Sequence, residues 1–151
     1  MNQDLTSALA NHRFLHGLSG PQIAALAECA RPVTAAAETH LFRESQAADA
    51  CYLLQTGRLA LEIHAPRRGA VVVQTIAAGD IVGWSWLIPP YLWQFDARTV
   101  EPVQALALDG ARLRQKLEQD HELGFQFLQR LIGVVCGRLA ATRLQLLDVY
   151  K

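Results

Sequence analysis

The chain has 151 residues, 51% hydrophobic and 19% charged, a balance that excludes a disordered chain and fits one domain of ordinary size. Its 14 Lys and Arg against 14 Asp and Glu leave a formal net charge of zero, which argues against a generally basic nucleic-acid binder and a polybasic membrane-surface protein. No apolar run approaches the ~20 residues of a membrane span. The polar start Met1-Asn2-Gln3-Asp4 lacks the cationic lead of a secretory signal, so a cytoplasmic protein is expected.

Along the chain, Leu5, Leu15 and Leu18 give a helical pattern broken at Gly17 and Gly20. Ser19-Gly20-Pro21-Gln22 predicts a helix start, with Ser19 as N-cap and Pro21 near the first helical position. That helix should run through Ile23, Leu26 and Ala27 to about Ala30. From Val33 the period changes to short apolar runs: Leu41-Phe42, Cys51 to Leu54, Leu59 to Ile63, Val71 to Val73 with Ile76, Ile81-Val82, Phe95 to Val100 and Val103 to Leu108. Runs at roughly 8–12-residue spacing indicate about eight strands in an antiparallel barrel or sandwich. Within Arg58–Ile63, alternation puts Leu59, Leu61 and Ile63 on one face and Arg58, Ala60 and Glu62 on the other.

After Asp109 the strand signals stop. Asp109 is predicted to cap a helix beginning at Gly110 or Ala111, and a second helix is predicted from after Asp120 to about Val149. In that second helix Ile132, Leu139 and Leu146 alternate with Leu128, Val135, Thr142 and Val149 at the a and d spacing of a coiled-coil seam. Phe127, Leu131 and Val134 form another stripe that should face the barrel. A helix apolar on two sides needs two partners, and a second copy of the helix is the simplest other one, so a homodimer through this helix is expected. Gly133 and Gly137, one turn apart, are read as points of close packing. The result is a single domain, mainly β with helices: a helical region at 1–32, a β-roll at 33–109 and helices at 110–151.

Cys29, Cys51 and Cys136 are widely spaced and form no C-x-x-C pair, so no disulfide, zinc or Fe–S framework is expected. Three buried thiols in a reducing compartment are expected instead. His12, His16, His40, His64 and His121 form no ligand cluster, and neither G-x-S-x-G nor a Walker loop is present. A non-enzymatic protein with no metal and no cofactor is expected. Arg130, Arg138 and Arg143 on the last helix are expected to be solvated.

Three stretches together resemble the cyclic-nucleotide-binding domain of the catabolite-activator/Fnr superfamily, over Phe14 to about Tyr150. They are Phe14-Leu15-x-x-Leu18-Ser19 with Leu41-Phe42-Arg43-Glu44 and Ala48 to Leu59; Gly79-Asp80-x-x-Gly83; and Arg138-Leu139-x-x-Thr142-Arg143. Ser45 stands where the family usually has glycine. The resemblance implies a double-stranded β-helix, or jelly-roll-like β-roll, and a phosphate-binding cassette that begins at Gly79. It also implies a Glu after the second glycine for the ribose and an Arg-Ser/Thr pair about ten residues on for the cyclic phosphate. Trp84 occupies the Glu position.

The phosphate pair has two registrations. With a short insertion it falls on Arg98-Thr99, which gives a cyclic-nucleotide sensor acting on a partner protein. Without one it falls on Trp93-Gln94, and both charged anchors are tryptophan, so that cAMP or cGMP binding is weak or lost and the aromatic rings either fill the vacated pocket or take an altered, flat or apolar small-molecule ligand. The candidate pocket is then Leu61, Gly83, Trp84, Ser85, Trp86, Leu87, Trp93, Gln94, Arg98 and Thr99, with Thr142 matching the helix hydroxyl that meets the purine. The family's transcription factors carry a helix-turn-helix beyond the long helix. None is read before Lys151, so direct DNA binding is not expected.

Overall fold

The computed structural model describes residues 2–149; Tyr150, the far limit of the resemblance, and Lys151 lie outside the described residues. The chain begins with helix α1 (Asn2–Asn11), a single 3-10 turn (Arg13–Leu15) and helix α2 (Gly20–Ala27). Eight strands follow: β1 (Ala30–Ala35), β2 (His40–Phe42), β3 (Ala50–Thr56), β4 (Arg58–Ala65), β5 (Gly69–Ala77), β6 (Ile81–Val82), β7 (Asp96–Thr99) and β8 (Val103–Asp109). Helices α3 (Gly110–Gln119) and α4 (His121–Val149) close the chain.

Local signals start the helices where expected. The Ser19 hydroxyl accepts from the Gln22 amide at 3.2 Å while Gln22 Oε1 accepts from the Ser19 amide at 2.9 Å, a reciprocal capping box. Asp109 accepts from the Arg112 amide at 2.9 Å and starts α3; Asp120 accepts from the Leu123 amide at 3.1 Å and starts α4. Helix α2 stops at Ala27 rather than near Ala30, because Ala30 pairs in register with Leu108 and the sheet captures the chain there.

The strands form two antiparallel four-stranded sheets, ordered β1-β8-β3-β6 and β2-β7-β4-β5. Strand β3 is apolar on both faces, which explains the unbroken run Cys51 to Leu54. Cys51 and Leu53 pack with Leu26, Trp86 and Phe127 in the core shared with the helices. Tyr52 and Leu54 pack with Leu59, Leu61 and Trp93 inside the roll. In β4, Leu59 and Leu61 are buried as expected, but Ile63 is exposed where the strand runs past the core, and Glu62 is buried. The phase therefore holds only as far as β7 covers the strand, from Leu59↔Thr99 to Glu62↔Asp96.

Buried His12 ties the first segment to the roll. Its Nε2 lies 2.7 Å from the Leu54 carbonyl and its Nδ1 accepts from the Phe14 amide at 3.2 Å. The ring is therefore neutral with the proton on Nε2. Burial lowers its pKa below the ordinary 6.5; the Leu54 bond opposes that shift, Arg13 adds to it and Asp80 opposes it. The unfolded chain thus takes up this proton more readily than the folded one. The contribution of His12 is fully present above about pH 6.5 and is lost as pH falls through and below that value. Urea midpoints should drop between pH 7.5 and 5.5, and His12→Gln should shrink that drop. An unchanged drop in the variant would rule His12 out as its source.

Candidate functional site

The segment between β6 and β7 builds the candidate pocket at one end of the roll. Gly83 opens it with φ +106, where a Cβ would lie 2.8 Å from the Trp93 ring, so both the backbone angle and the ring call for glycine. The Trp86 indole N–H donates to the Gly83 carbonyl at 2.6 Å, and its ring meets Phe127 edge-on at 6.0 Å. Trp86 and Leu87 therefore belong to the core under the helices. Arg114 on α3 clamps the segment, donating to the Trp86 carbonyl and lying 4.1 Å over the Tyr91 ring.

Trp93 turns inward. Its ring stacks on Phe42 at 3.6 Å and 9°, with Tyr52 beyond at 6.4 Å. Backbone bonds lock it there: the Ser45 amide donates to the Trp93 carbonyl and the Trp93 amide to the Gln46 carbonyl, each at 2.9 Å. Half-buried Trp84 closes the outer side, edge-on to Phe95 at 6.4 Å. Leu61, Val82 and Ser85 also line the pocket. About 10 Å³ is left for the centre of a water-sized sphere, room for about one water.

Of the sequence candidates, Leu61, Gly83, Trp84, Ser85 and Trp93 come together here. The others lie elsewhere. Gln94 is exposed and its side-chain amide donates to the Leu92 carbonyl at 3.1 Å. Arg98 pairs across the sheet with Ala60, on the face opposite Leu59 and Leu61. Its guanidinium donates to Glu62 at 3.1 Å and to Glu38 at 3.0 Å. Glu62, first through its hydrogen bond and then through its charge, raises the Arg98 pKa, and Glu38 adds to it. Thr99 is buried, donating to the Ala36 carbonyl at 2.6 Å and accepting from the Thr39 amide at 2.8 Å, so it anchors the β1–β2 connection. Thr142 is exposed and donates to the Arg138 carbonyl of its own helix at 2.9 Å.

One residue expected in solvent is in the pocket instead. Arg138 is 8% exposed and lines the cavity. Its guanidinium lies 5.4 Å over the Trp84 ring. Nη2 donates to the Ile81 carbonyl on the edge strand β6, while Nη1 is buried with no hydrogen-bond partner among the described residues. Burial depresses its pKa and the charge of Asp80 acts the other way. A cation this deep costs on the order of several kcal/mol unless it is compensated. Its signal in the sequence is spacing: Phe127, Leu131, Val134 and Arg138 share one helical face, and the first three are on the buried side.

The other face of α4 is bare. Ile132, Leu139, Leu146 and Val149 are 58%, 47%, 56% and 78% exposed, and Leu128 and Val135 are half-buried. A Cβ on Gly133 or Gly137 would meet nothing within 4 Å, so neither glycine serves packing within this chain. Cys136 lies on this helix and is exposed, unlike Cys29 and Cys51, whose thiol pKa values burial pushes up. The expectation of three buried thiols fails at Cys136, because that position lies on the bare face of α4, opposite the stripe that runs from Phe127 to Arg138.

A sequence profile of the family described as cyclic nucleotide-binding domain matches residues 32–120. No curated protein sequence matches the chain. Among solved structures, a candidate cyclic nucleotide-binding protein of Geobacter metallireducens GS-15 is 28% identical, with TM-score 0.76 over 91% of this chain and 97% of that one. A cyclic nucleotide-binding domain from Methylobacillus flagellatus KT superposes with TM-score 0.80 at 19% identity, over 97% of this chain and 83% of that one. The sensor domain of the transcriptional regulator DNR from Pseudomonas aeruginosa gives TM-score 0.74 at 17% identity, over 92% and 93%. The last two, at such low identity, speak for the fold.

Proposed function

Since the chain belongs to the cyclic nucleotide-binding domain family, we propose that it is a non-enzymatic regulatory module whose cassette has diverged, so that cAMP and cGMP bind weakly or not at all. The observation that carries this reading is the Trp93 ring stacked on Phe42, which leaves room for about one water where a ligand would sit. Trp84 and Trp93 supply no charge for a ribose or a cyclic phosphate. Arg98 and Thr99 are held by Glu62, Glu38 and the β1–β2 connection, which supports this reading over one in which they take the phosphate.

The proposal includes a homodimer through α4, with Leu128, Ile132, Val135, Leu139, Thr142, Leu146 and Val149 facing a second copy. Apart from Thr142 that stripe is apolar, and it is largely exposed in the single chain. Output passes to a partner protein in the cytoplasm. No helix among the described residues is long and apolar enough to cross a membrane.

Light scattering at about 50–100 μM, the range for a weak coiled-coil interface, is expected to give a dimer. Leu139→Glu should shift it to monomer by placing a charge in the seam. A wild-type monomer throughout that range removes the dimer.

A further inference from the structure

We propose, resting on the diverged-cassette reading above, that the pocket receives a small planar organic acid whose single carboxylate is taken by Arg138 from α4. The first argument is charge. Arg138 lines the pocket, is more than nine-tenths buried, and keeps its Nη1 without a partner among the described residues. Its other terminal nitrogen is spent on a neutral carbonyl, that of Ile81. No Asp or Glu is among the residues lining the cavity. Asp80 acts on Arg138 only through its field and is ion-paired with Arg13 at 2.8 Å. The compensating anion is therefore what an incoming molecule brings.

The second argument is shape. Apart from Arg138 and the Ser85 hydroxyl, the walls are aromatic and aliphatic, with Phe42, Trp93, Trp84 and Phe95 supplying the rings. Such walls favour a flat apolar body. One free guanidinium nitrogen and one hydroxyl match a singly charged carboxylate. A phosphate, with more oxygens to satisfy, is left short of donors.

The third argument is access. The pocket is nearly filled, so a ring must move to admit anything. Trp93 is held by its stack and by backbone bonds on both sides. Trp84 is half-buried at the edge of the core under the helices, its carbonyl accepting from the Leu87 amide, and within the pocket its ring meets only Phe95 and the Arg138 guanidinium among the described residues. Trp84 is the ring that swings, and a carboxylate drawing Arg138 off its face helps to release it. The space gained is about one bicyclic ring, which limits the ligand to that size. Binding so arranged links the segment after β6 directly to α4, the helix proposed to dimerise.

The test is thermal shift and calorimetry on the full chain with benzoate, 1-naphthoate and indole-3-acetate, each against its primary amide, and with cAMP alongside. At least one acid should raise the melting temperature and bind at least tenfold tighter than its amide. Arg138→Gln should erase that gap and Arg138→Lys should retain part of it. If neither variant folds, the acid-to-amide ratio on the wild-type protein still decides. Equal binding of acid and amide overturns the role of Arg138. Silence from every acid and from cAMP overturns this inference and leaves the diverged module standing. Micromolar cAMP with silent acids overturns both.

Discussion

Titration with cAMP or cGMP is expected to give no saturable isotherm tighter than about 100 μM. To admit a nucleotide, the Trp93 ring must leave its stack on Phe42 and enter water. A tryptophan buries roughly 200 Å², and about 25 cal/mol per Å² makes that roughly 5 kcal/mol. At 1.4 kcal/mol for each tenfold, the loss is between about 10³ and 10⁴ in affinity. A pocket otherwise suited to micromolar binding is pushed into the millimolar range. Loss of each charge-assisted bond adds about 1.5–3 kcal/mol. Arg138 offers a cation, but one of its nitrogens already holds the Ile81 carbonyl. A micromolar isotherm would mean that the ring moves freely and that the barrel is a working nucleotide site.

Much of the fold was legible because its signals are local. Ser19 with Gln22, Asp109 and Asp120 announce helix starts through their own hydrogen bonds. The run Cys51 to Leu54 announces a strand covered on both sides. Ile63 and Cys136 depart from expectation for different reasons: β4 outruns its cover at Ile63, a point that depends on the partner strand's length, whereas Cys136 sits on the face of α4 opposite the buried stripe. The site was legible in part. Gly83, Trp84 and Trp93 stand together in sequence and meet in space. Phe42 reaches the pocket from another strand, and Arg138, more than 40 residues beyond Trp93, reaches it from a helix, so neither is marked by proximity. Parity could have placed Arg98: with Leu59 and Leu61 inward, their partners Thr99 and Ala97 are inward too, and Arg98 between them faces out. Arg138 was the harder case. Its helical spacing puts it on the buried stripe while its chemistry points to water, and residues in that conflict are the ones a ligand most readily explains.

Trp93→Ala follows from the same packing and should be the most damaging single change in the pocket. The ring is 3% exposed, stacked at 3.6 Å, and touches positions where even a Cβ on Gly83 would collide. Truncating a buried tryptophan costs about 3–5 kcal/mol, through lost transfer free energy and the cavity left behind. For a chain of this size each kcal/mol lowers the melting temperature by roughly 2–4 °C, so a fall of roughly 6–20 °C is expected. The cavity opens beside the rings of Phe42 and Tyr52, which leave a flat slot of indole size. Indole at about 1 mM should therefore raise the melting temperature of the variant, because it binds only the folded form, and should leave that of the parent protein nearly unchanged. Rescue by indole separates a vacated slot from general damage, which no ring-sized molecule repairs. If the variant loses less than about 1 kcal/mol, or indole acts equally on both proteins, Trp93 is not what fills this barrel.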